Sequence, residues 1–142
     1  MTKIYIVEDD PLMSRMYEKA FRLNGYDVEL AFDGEEGLKK LTAMAEKPTI
    51  MLLDIMMPKM SGFDVLKALK EDKDLKKLPV IALTNLAGKD DAEKALSLGA
   101  VLYLVKSQYD PKEVVEKVKE IIAGYDHGGN APEVKVKTKD IA

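Results

Sequence analysis

The sequence predicts an α/β fold in which an open sheet of five parallel strands carries helices on both faces. Five short apolar runs recur along the 142 residues. Four of these runs are nearly continuous rather than alternating, which is typical of strands covered on both faces. Segments with helical spacing lie between the runs, so strand and helix alternate five times. Right-handed crossovers place such helices on both faces, but this alternation alone leaves the strand order open.

The five predicted strands share a short, apolar character and are bounded by polar or turn-forming residues. They are Ile4 to Val7, Val28 to Phe32, Ile50 to Leu53, Val80 to Leu83 and Val101 to Val105.

The first helix is predicted over Pro11 to Asn24, where apolar residues recur with a period near 3.6. This stripe consists of Leu12, Met13, Met16, Tyr17, Ala20 and Phe21. Asp10 before Pro11 is a favourable N-cap, and Asn24 followed by Gly25 is a favourable stop.

Four further helices complete the alternation. They are predicted over Gly34 to Glu46, Gly62 to Glu71, Gly88 to Leu98, and from Pro111 to an end at Gly124. We therefore assign residues 1–123 to one domain and interpret residues 124–142, which contain Gly128-Gly129-Asn130, as a flexible C-terminal tail or linker.

Composition limits the function classes. The net charge of −3 provides no basic field, so we expect no direct nucleic-acid binding. Without cysteine there is neither a disulfide framework nor a thiolate metal site. No apolar stretch approaches the roughly 18 residues of a membrane span, so we expect a soluble, cytoplasmic protein that does not enter a membrane.

Polar side chains follow four of the predicted strands at the point where each strand ends. They are Glu8 and Asp9, Asp54, Thr84, and Lys106. In an open α/β sheet the carboxyl ends of parallel strands meet at the edge where ligands bind. Carboxylates beside an ammonium and a hydroxyl suit a hard divalent cation together with a phosphoryl group.

Several of these residues also have purely structural interpretations. Asp10 fits a helix cap, Thr84 alone fits a helix start, and Lys106 alone fits a strand-end lysine whose stem covers apolar surface. Asp54 is different, because a carboxylate inside an apolar run is costly without a partner.

These residues resemble the response-regulator receiver family of two-component signalling, over roughly residues 2–123. The resemblance rests on Ile4-Tyr5-Ile6-Val7-Glu8-Asp9-Asp10, Leu52-Leu53-Asp54-Ile55-Met56-Met57-Pro58 with Ser61-Gly62, Ile81-Ala82-Leu83-Thr84, and Tyr103-Leu104-Val105-Lys106. The Asp-x-x-Met-Pro-x-x-Ser-Gly pattern is its most specific part. The resemblance implies a flavodoxin-like, doubly wound, five-stranded parallel sheet of order 2-1-3-4-5 with five helices, like a chemotaxis receiver.

The resemblance also implies roles for the residues at the sheet edge. Asp54 would be the phosphoacceptor. Mg²⁺ would be held by Asp54 and Asp9, by Glu8 through water, and by the backbone carbonyl of Met56.

The remaining implied roles concern the phosphoryl group and the switch. Thr84 would donate its hydroxyl to a phosphoryl oxygen, Lys106 would pair with Asp54 or its phosphoryl group, and Thr84 with the aromatic Tyr103 would form the switch.

The implied partners are a histidine kinase or phosphotransfer protein as phosphodonor and an unknown protein target. A phosphorylation-dependent homodimer is left open.

Two positions depart from the family pattern. Ser107 follows Lys106 where a cis proline is usual, which leaves the geometry of the Lys106–Ser107 bond open. Asn85 follows Thr84 where a small residue is common.

Three rival interpretations have different consequences. A degenerate receiver would act as an interaction module independent of phosphorylation. A phosphatase with Asp54 as nucleophile would need an added acid–base residue and a substrate cap. A flavin-binding electron carrier is disfavoured, because Glu8, Asp9 and Asp10 in the first turn would repel phosphate. We therefore expect a signalling domain that catalyses only its own aspartyl phosphorylation and dephosphorylation.

Overall fold

A computed structural model describes residues 2–126 and 135–136 of the chain. The strands are β1 (Lys3–Val7), β2 (Asp27–Ala31), β3 (Ile50–Leu53), β4 (Val80–Thr84), β5 (Leu102–Val105) and β6 (Lys135–Val136). The helices are α1 (Pro11–Leu23), α2 (Gly34–Ala43), α3 (Gly62–Glu71), α4 (Lys89–Ser97) and α5 (Pro111–Asp126). A short 3₁₀ turn, Lys106–Gln108, follows β5.

The strands within the described ranges form one parallel sheet of order β2-β1-β3-β4-β5-β6. The predicted order of the first five strands, 2-1-3-4-5, is confirmed, as are the five helices. The two-residue β6 was not predicted, and it pairs with β5 through Leu102↔Lys135 and Tyr103↔Val136.

Alternate side chains along each strand divide the interior into two cores, as the two-residue period of a strand requires. Tyr5, Met51 and Leu53 face the core covered by α2, α3 and α4. Ile4 and Ile6 face the core covered by α1 and α5. The central strands are buried on both faces, which explains why their sequences are continuously apolar.

The predicted ends of α1 are confirmed. The Asp10 carboxylate accepts hydrogen bonds from the amides of Leu12 (2.9 Å) and Met13 (3.4 Å). Gly25, just after the helix, has φ +85°, a left-handed conformation that glycine adopts without a steric penalty. Asp10 therefore has the structural role that its position before Pro11 indicates.

Helix α2 ends at Ala43, three residues before the predicted Glu46. The ammonium of Lys47 lies 2.7 Å from the carbonyl oxygens of Leu41 and Met44 at the helix end, where carbonyl groups run short of backbone donors. A lysine beyond the periodic segment thus donates hydrogen bonds to carbonyl groups at the C-terminal end of α2.

The segment predicted as a flexible tail or linker, residues 124–142, is described in two pieces. Residues 124–126 continue α5 past the predicted end at Gly124, and residues 135–136 form β6. The rest of that segment lies outside the described residues.

Candidate functional site

The carboxyl ends of four adjacent strands converge at one edge of the sheet. Backbone pairing continues past β3, because the amide of Asp54 donates to the carbonyl oxygen of Val7 at 3.0 Å. Asp54 is thereby placed beside Glu8, the residue that follows Val7. Thr84 and Val105 are register partners, so the ends of β4 and β5 lie side by side. This register brings together polar residues that are distant in the sequence.

Three carboxylates form an acidic cluster at this edge, and they are Glu8, Asp9 and Asp54. Each offers one oxygen that lies within 4.8 Å of the others. Glu8 and Asp54 are 2% and 5% exposed, whereas Asp9 is exposed to solvent. Buried carboxylates at this separation repel each other unless a positive charge offsets them.

Lys106 supplies positive charge to this cluster. Its ammonium lies 2.9 Å from Asp54 Oδ2 and forms an ion pair with Glu8 Oε1, and its side chain is 7% exposed. A buried ammonium shared between two buried carboxylates is a different arrangement from a lysine whose head reaches solvent. The structure therefore rules out the interpretation of Lys106 as an ordinary strand-end lysine.

Burial and pairing act in opposite directions on these charges. Burial raises the pKa of Glu8 to about 7, although the hydrogen bonds from Lys106 and from the Asp10 amide lower it. Burial lowers the pKa of Lys106, but the hydrogen bond to Glu8 and the charge of Asp54 raise it by more, so it lies above its ordinary value. Lys106 is thus held as a cation.

The loop after β3 shapes the approach to Asp54. The amide of Met56 donates to Asp54 Oδ1 at 3.1 Å, which places the backbone of Met56 against the Asp54 carboxylate. The Met56 side chain itself is 57% exposed. Helix α3 starts beneath this loop at Gly62, whose amide donates to the carbonyl oxygen of Ile55.

A cavity of about 520 Å³ opens onto the cluster. Its lining residues are Glu8, Asp9, Asp10, Met13, Asp54, Met56, Asn85, Lys106 and Ser107. Asn85 and Ser107, the two departures from the family pattern, therefore both face the cluster. Among the described residues there is no cis peptide bond, so the Lys106–Ser107 bond is trans. Met13 was predicted only as part of the apolar stripe of α1.

Thr84 and Tyr103 meet at the backbone of a third residue, Leu86. The Leu86 amide donates to Thr84 Oγ1 at 3.3 Å, and the Tyr103 hydroxyl donates to the Leu86 carbonyl oxygen at 2.7 Å. Thr84 and Tyr103 are both fully buried, so the ring of Tyr103 points inward in this structure. These hydrogen bonds of Leu86 were not predicted, because they are made by backbone atoms.

Comparison with known proteins identifies a family. A model of the response regulator receiver domain matches residues 4–119. The alkaline phosphatase synthesis transcriptional regulatory protein PhoP of Bacillus subtilis is 36% identical over 133 residues, which are 94% of this chain and 53% of PhoP. The DNA-binding dual master transcriptional regulator RpaA of Synechocystis is 33% identical over 126 residues, 89% of this chain and 51% of RpaA.

The fold has solved counterparts as well. The chemotaxis response regulator CheY4 of Vibrio cholerae superposes with a TM-score of 0.77 at 28% identity, covering 84% of this chain and 98% of CheY4.

These relatives correct one expectation. The net charge of −3 led to the prediction of no direct nucleic-acid binding, but that prediction is contradicted by relatives that regulate transcription, one of them a DNA-binding protein. The chain spans about half the length of these relatives. The charge of one matched half carries no information about the other half of such proteins.

Over residues 2–126 and 135–136, none of the helices combines the length and the apolar character needed to cross a bilayer.

Proposed function

Because the chain belongs to the response regulator receiver domain family, a family of signalling domains, we propose that it accepts a phosphoryl group on Asp54. The donor in this proposal is a histidine kinase or a phosphotransfer protein. The reaction depends on Mg²⁺, and the product switches a partner-binding face. The chain catalyses only its own phosphorylation and dephosphorylation.

One observation carries the proposal. The Asp54 carboxylate lies at the end of the central strand β3. It offers an oxygen within 4.8 Å of oxygens of Glu8 and Asp9, and its Oδ2 lies 2.9 Å from the buried ammonium of Lys106. A carboxylate held between a cation-binding cluster and a fixed positive charge suits attack on phosphorus, since the transferring oxygens carry negative charge that must be neutralised.

The chemistry of the donor set fits Mg²⁺. Glu8, Asp9 and Asp54 offer hard oxygen ligands at one point, and the backbone of Met56 lies against Asp54. When bound, Mg²⁺ would supply positive charge to the phosphoryl oxygens and hold them in line with the acceptor. Asp9 is the exposed member of the cluster, so it is the carboxylate that an entering cation meets first.

In the proposed transfer, an Asp54 carboxylate oxygen forms a bond to phosphorus while the phosphorus–nitrogen bond of the donor histidine breaks. The electron pair of that bond stays on the imidazole nitrogen, which takes up a proton. Lys106 then pairs with the phosphoryl group, and Thr84 donates its hydroxyl to a phosphoryl oxygen.

The proposed switch runs through Leu86. If Thr84 Oγ1 turns toward the phosphoryl group, it gives up the Leu86 amide, whose carbonyl is held by Tyr103. Phosphorylation thereby changes the loop on which the inward Tyr103 depends, and with it the face formed by α4, β5 and α5. The inward ring of this structure is one of the two positions that such a switch requires.

We place the phosphorylated unit at residues 1–123, which include the matched residues 4–119. The whole protein's target is a further part of the proposal. Its relatives regulate transcription, which supports a cytoplasmic signalling role in which phosphorylation changes partner binding.

The test is incubation with acetyl phosphate and Mg²⁺ followed by intact-mass measurement. Wild type should gain one phosphoryl adduct, and Asp54→Asn, which keeps the size of the side chain, should gain none. Asp10→Asn is the matched control, because it removes a charge from the same cavity while asparagine still caps α1.

A wild type that takes up no phosphoryl group would contradict the proposal and favour the degenerate receiver, which binds its partner independently of phosphorylation. An adduct that persists in Asp54→Asn would place the acceptor elsewhere.

A further inference from the structure

The face of α1 that packs against the sheet carries two buried hydroxyls. In the part of the chain that the structure describes, Tyr17 Oη and Ser14 Oγ are the buried side-chain oxygen or nitrogen atoms that have no hydrogen-bond partner. Both residues are fully buried, and they lie three positions apart, on the same side of the helix. A buried hydroxyl without a partner destabilises a fold, so each such group calls for an explanation.

Tyr17 lies against a small internal gap directly beneath the acidic cluster. Among the side chains that line this gap, Tyr17, Glu8 and Asp54 are polar, and the others are aliphatic residues of β1, β3 and β4. The gap is too narrow to hold a water molecule. Water therefore cannot satisfy the Tyr17 hydroxyl, and the side-chain acceptors that border the gap are the two carboxylates of the functional site.

The hydroxyl is kept in its protonated form. Burial raises the pKa of Tyr17, and the negative charges of Glu8 and then Asp54 raise it further. A neutral phenol beside two carboxylates can act toward them only as a hydrogen-bond donor.

Glu8 has other partners in this structure. Its Oε1 is paired with the ammonium of Lys106, and its Oε2 accepts from the Asp10 amide at 3.0 Å. A divalent cation in the cluster would compete with the Lys106 ammonium for the same carboxylate oxygens, because both are positive charges. Glu8 would then lose the Lys106 ammonium as a partner. Its carboxylate could accept a hydrogen bond from the side of the gap.

We propose that Tyr17 is a positioning residue for the metal site: when Lys106 leaves Glu8, the Tyr17 hydroxyl closes the gap and donates a hydrogen bond to the Glu8 carboxylate. Tyr17 touches neither the cation nor the phosphoryl group. It fixes the orientation of the Glu8 carboxylate, which would hold the cation through water, as outer partners of metal ligands commonly do. This inference rests on the proposed function, since it requires Mg²⁺ at the cluster.

The experiment compares wild type with Tyr17→Phe, which removes the hydroxyl and keeps the ring. Without metal, the urea midpoint of Tyr17→Phe should equal or exceed that of wild type, because the lost hydroxyl had no partner. Mg²⁺ binding measured by calorimetric titration should be about tenfold weaker or more, as expected for loss of a hydrogen bond to a charged group.

Tyr5→Phe is the matched control. The Tyr5 hydroxyl is also buried, but it donates to the Gly37 carbonyl oxygen at 2.7 Å, in the core on the opposite face of the sheet. Tyr5→Phe should lose stability equally with and without Mg²⁺ and should bind Mg²⁺ as tightly as wild type.

A spectroscopic readout separates positioning from simple packing. In protein labelled with carbon-13 at tyrosine Cζ, addition of Mg²⁺ should shift the Tyr17 resonance and leave that of Tyr5 in place. Equal Mg²⁺ affinity of wild type and Tyr17→Phe, or a clear loss of stability of Tyr17→Phe without metal, would overturn the inference and leave the proposed function intact. Absence of Mg²⁺ binding by wild type would instead overturn both.

Discussion

At the scale of single residues, the site is dominated by two buried carboxylates that share one buried ammonium. Burial destabilises the charged form of Glu8. It raises the pKa of Glu8 to about 7, although the hydrogen bond from Lys106 lowers it. The folded protein therefore holds a proton on Glu8 more tightly than the unfolded chain does. Stability must then depend on pH in the range where the two states differ in bound protons.

We predict that metal-free wild type loses stability relative to Glu8→Gln as the pH rises from 4 to 8. The loss begins above the ordinary pKa of 4.5 and is complete above about 7, because in that window the folded state binds more protons than the unfolded state. Each pH unit of the window is worth about 1.4 kcal/mol, so the full difference is at most about 3.5 kcal/mol. Urea denaturation in EDTA at several pH values measures it.

Glu46→Gln, an exposed change of the same kind, is the control and should follow the wild-type profile. Parallel pH profiles of wild type and Glu8→Gln would show that folding does not shift the pKa of Glu8.

Residues whose role depends on their place along a strand could be predicted from the sequence. Asp54, Thr84 and Lys106 each end or follow an apolar run, and a parallel sheet brings such positions together. Tyr17 could not be predicted in this way, because its ring fits the apolar stripe of α1. Only the packed structure shows that its hydroxyl lacks a partner and lies beneath the cluster.

At the scale of elements, the loop between β3 and α3 sets the position of Asp54. Lys59 in this loop has φ +68°, a conformation that costs a non-glycine residue free energy. At Gly62 the helix start presses against the loop, and an added Cβ would lie 2.4 Å from the Asp54 carbonyl oxygen and 2.7 Å from Ile55 Cα. Both contacts are with backbone, which cannot move aside easily.

Gly62→Ala should therefore lower the free energy of unfolding by about 2–3 kcal/mol, a typical cost of overpacking. It should also slow phosphoryl uptake from acetyl phosphate, since any relief of the clash displaces Asp54. Denaturation and the intact-mass assay together measure both effects.

Gly88→Ala is the matched control. At Gly88 an added Cβ would approach only the end of the Asp91 side chain, at 3.1 Å, so we expect a loss below about 1 kcal/mol. Equal stability of the two alanine variants would contradict the assigned tight packing at Gly62.

Element types were more predictable than element ends. The predicted helix over Gly62 to Glu71 has those bounds in the structure, because Ser61 caps its start through the Asp64 amide. The predicted end of α2 was wrong. The observed end depends on hydrogen bonds from Lys47 to helix carbonyl groups, and such a contact leaves no periodic pattern in the sequence. The pairing of β6 with β5 was also not predicted, because the alternation of Val or Thr with Lys over residues 133–139 was assigned to a flexible tail or linker.

At the scale of the whole molecule, the acidic cluster joins the ends of two adjacent strands in the middle of the sheet. Any ligand that binds this cluster binds the folded chain and not the unfolded one, whose carboxylates are far apart. Such a ligand must raise the free energy of unfolding by mass action.

We predict that Mg²⁺ stabilises wild type, with about 1.4 kcal/mol gained for each tenfold rise in free Mg²⁺ above its dissociation constant. Asp9→Asn should lose most of this gain while staying folded, because Asp9 is exposed. Asp74→Asn, an exposed change of the same charge outside the cluster, should keep it. Urea midpoints across an Mg²⁺ series measure the effect, and a flat series for wild type would contradict it.

The pairing of Asp54 with Lys106 spans 52 positions of the sequence, and Glu8 lies 46 positions before Asp54. No fragment that stops short of β5 contains all three charges, and no partly ordered intermediate can align them until the central strands are in register. Competence for the chemistry at Asp54 therefore arises only when folding is complete. A chain emerging during synthesis would remain silent until its last long strand had joined the sheet.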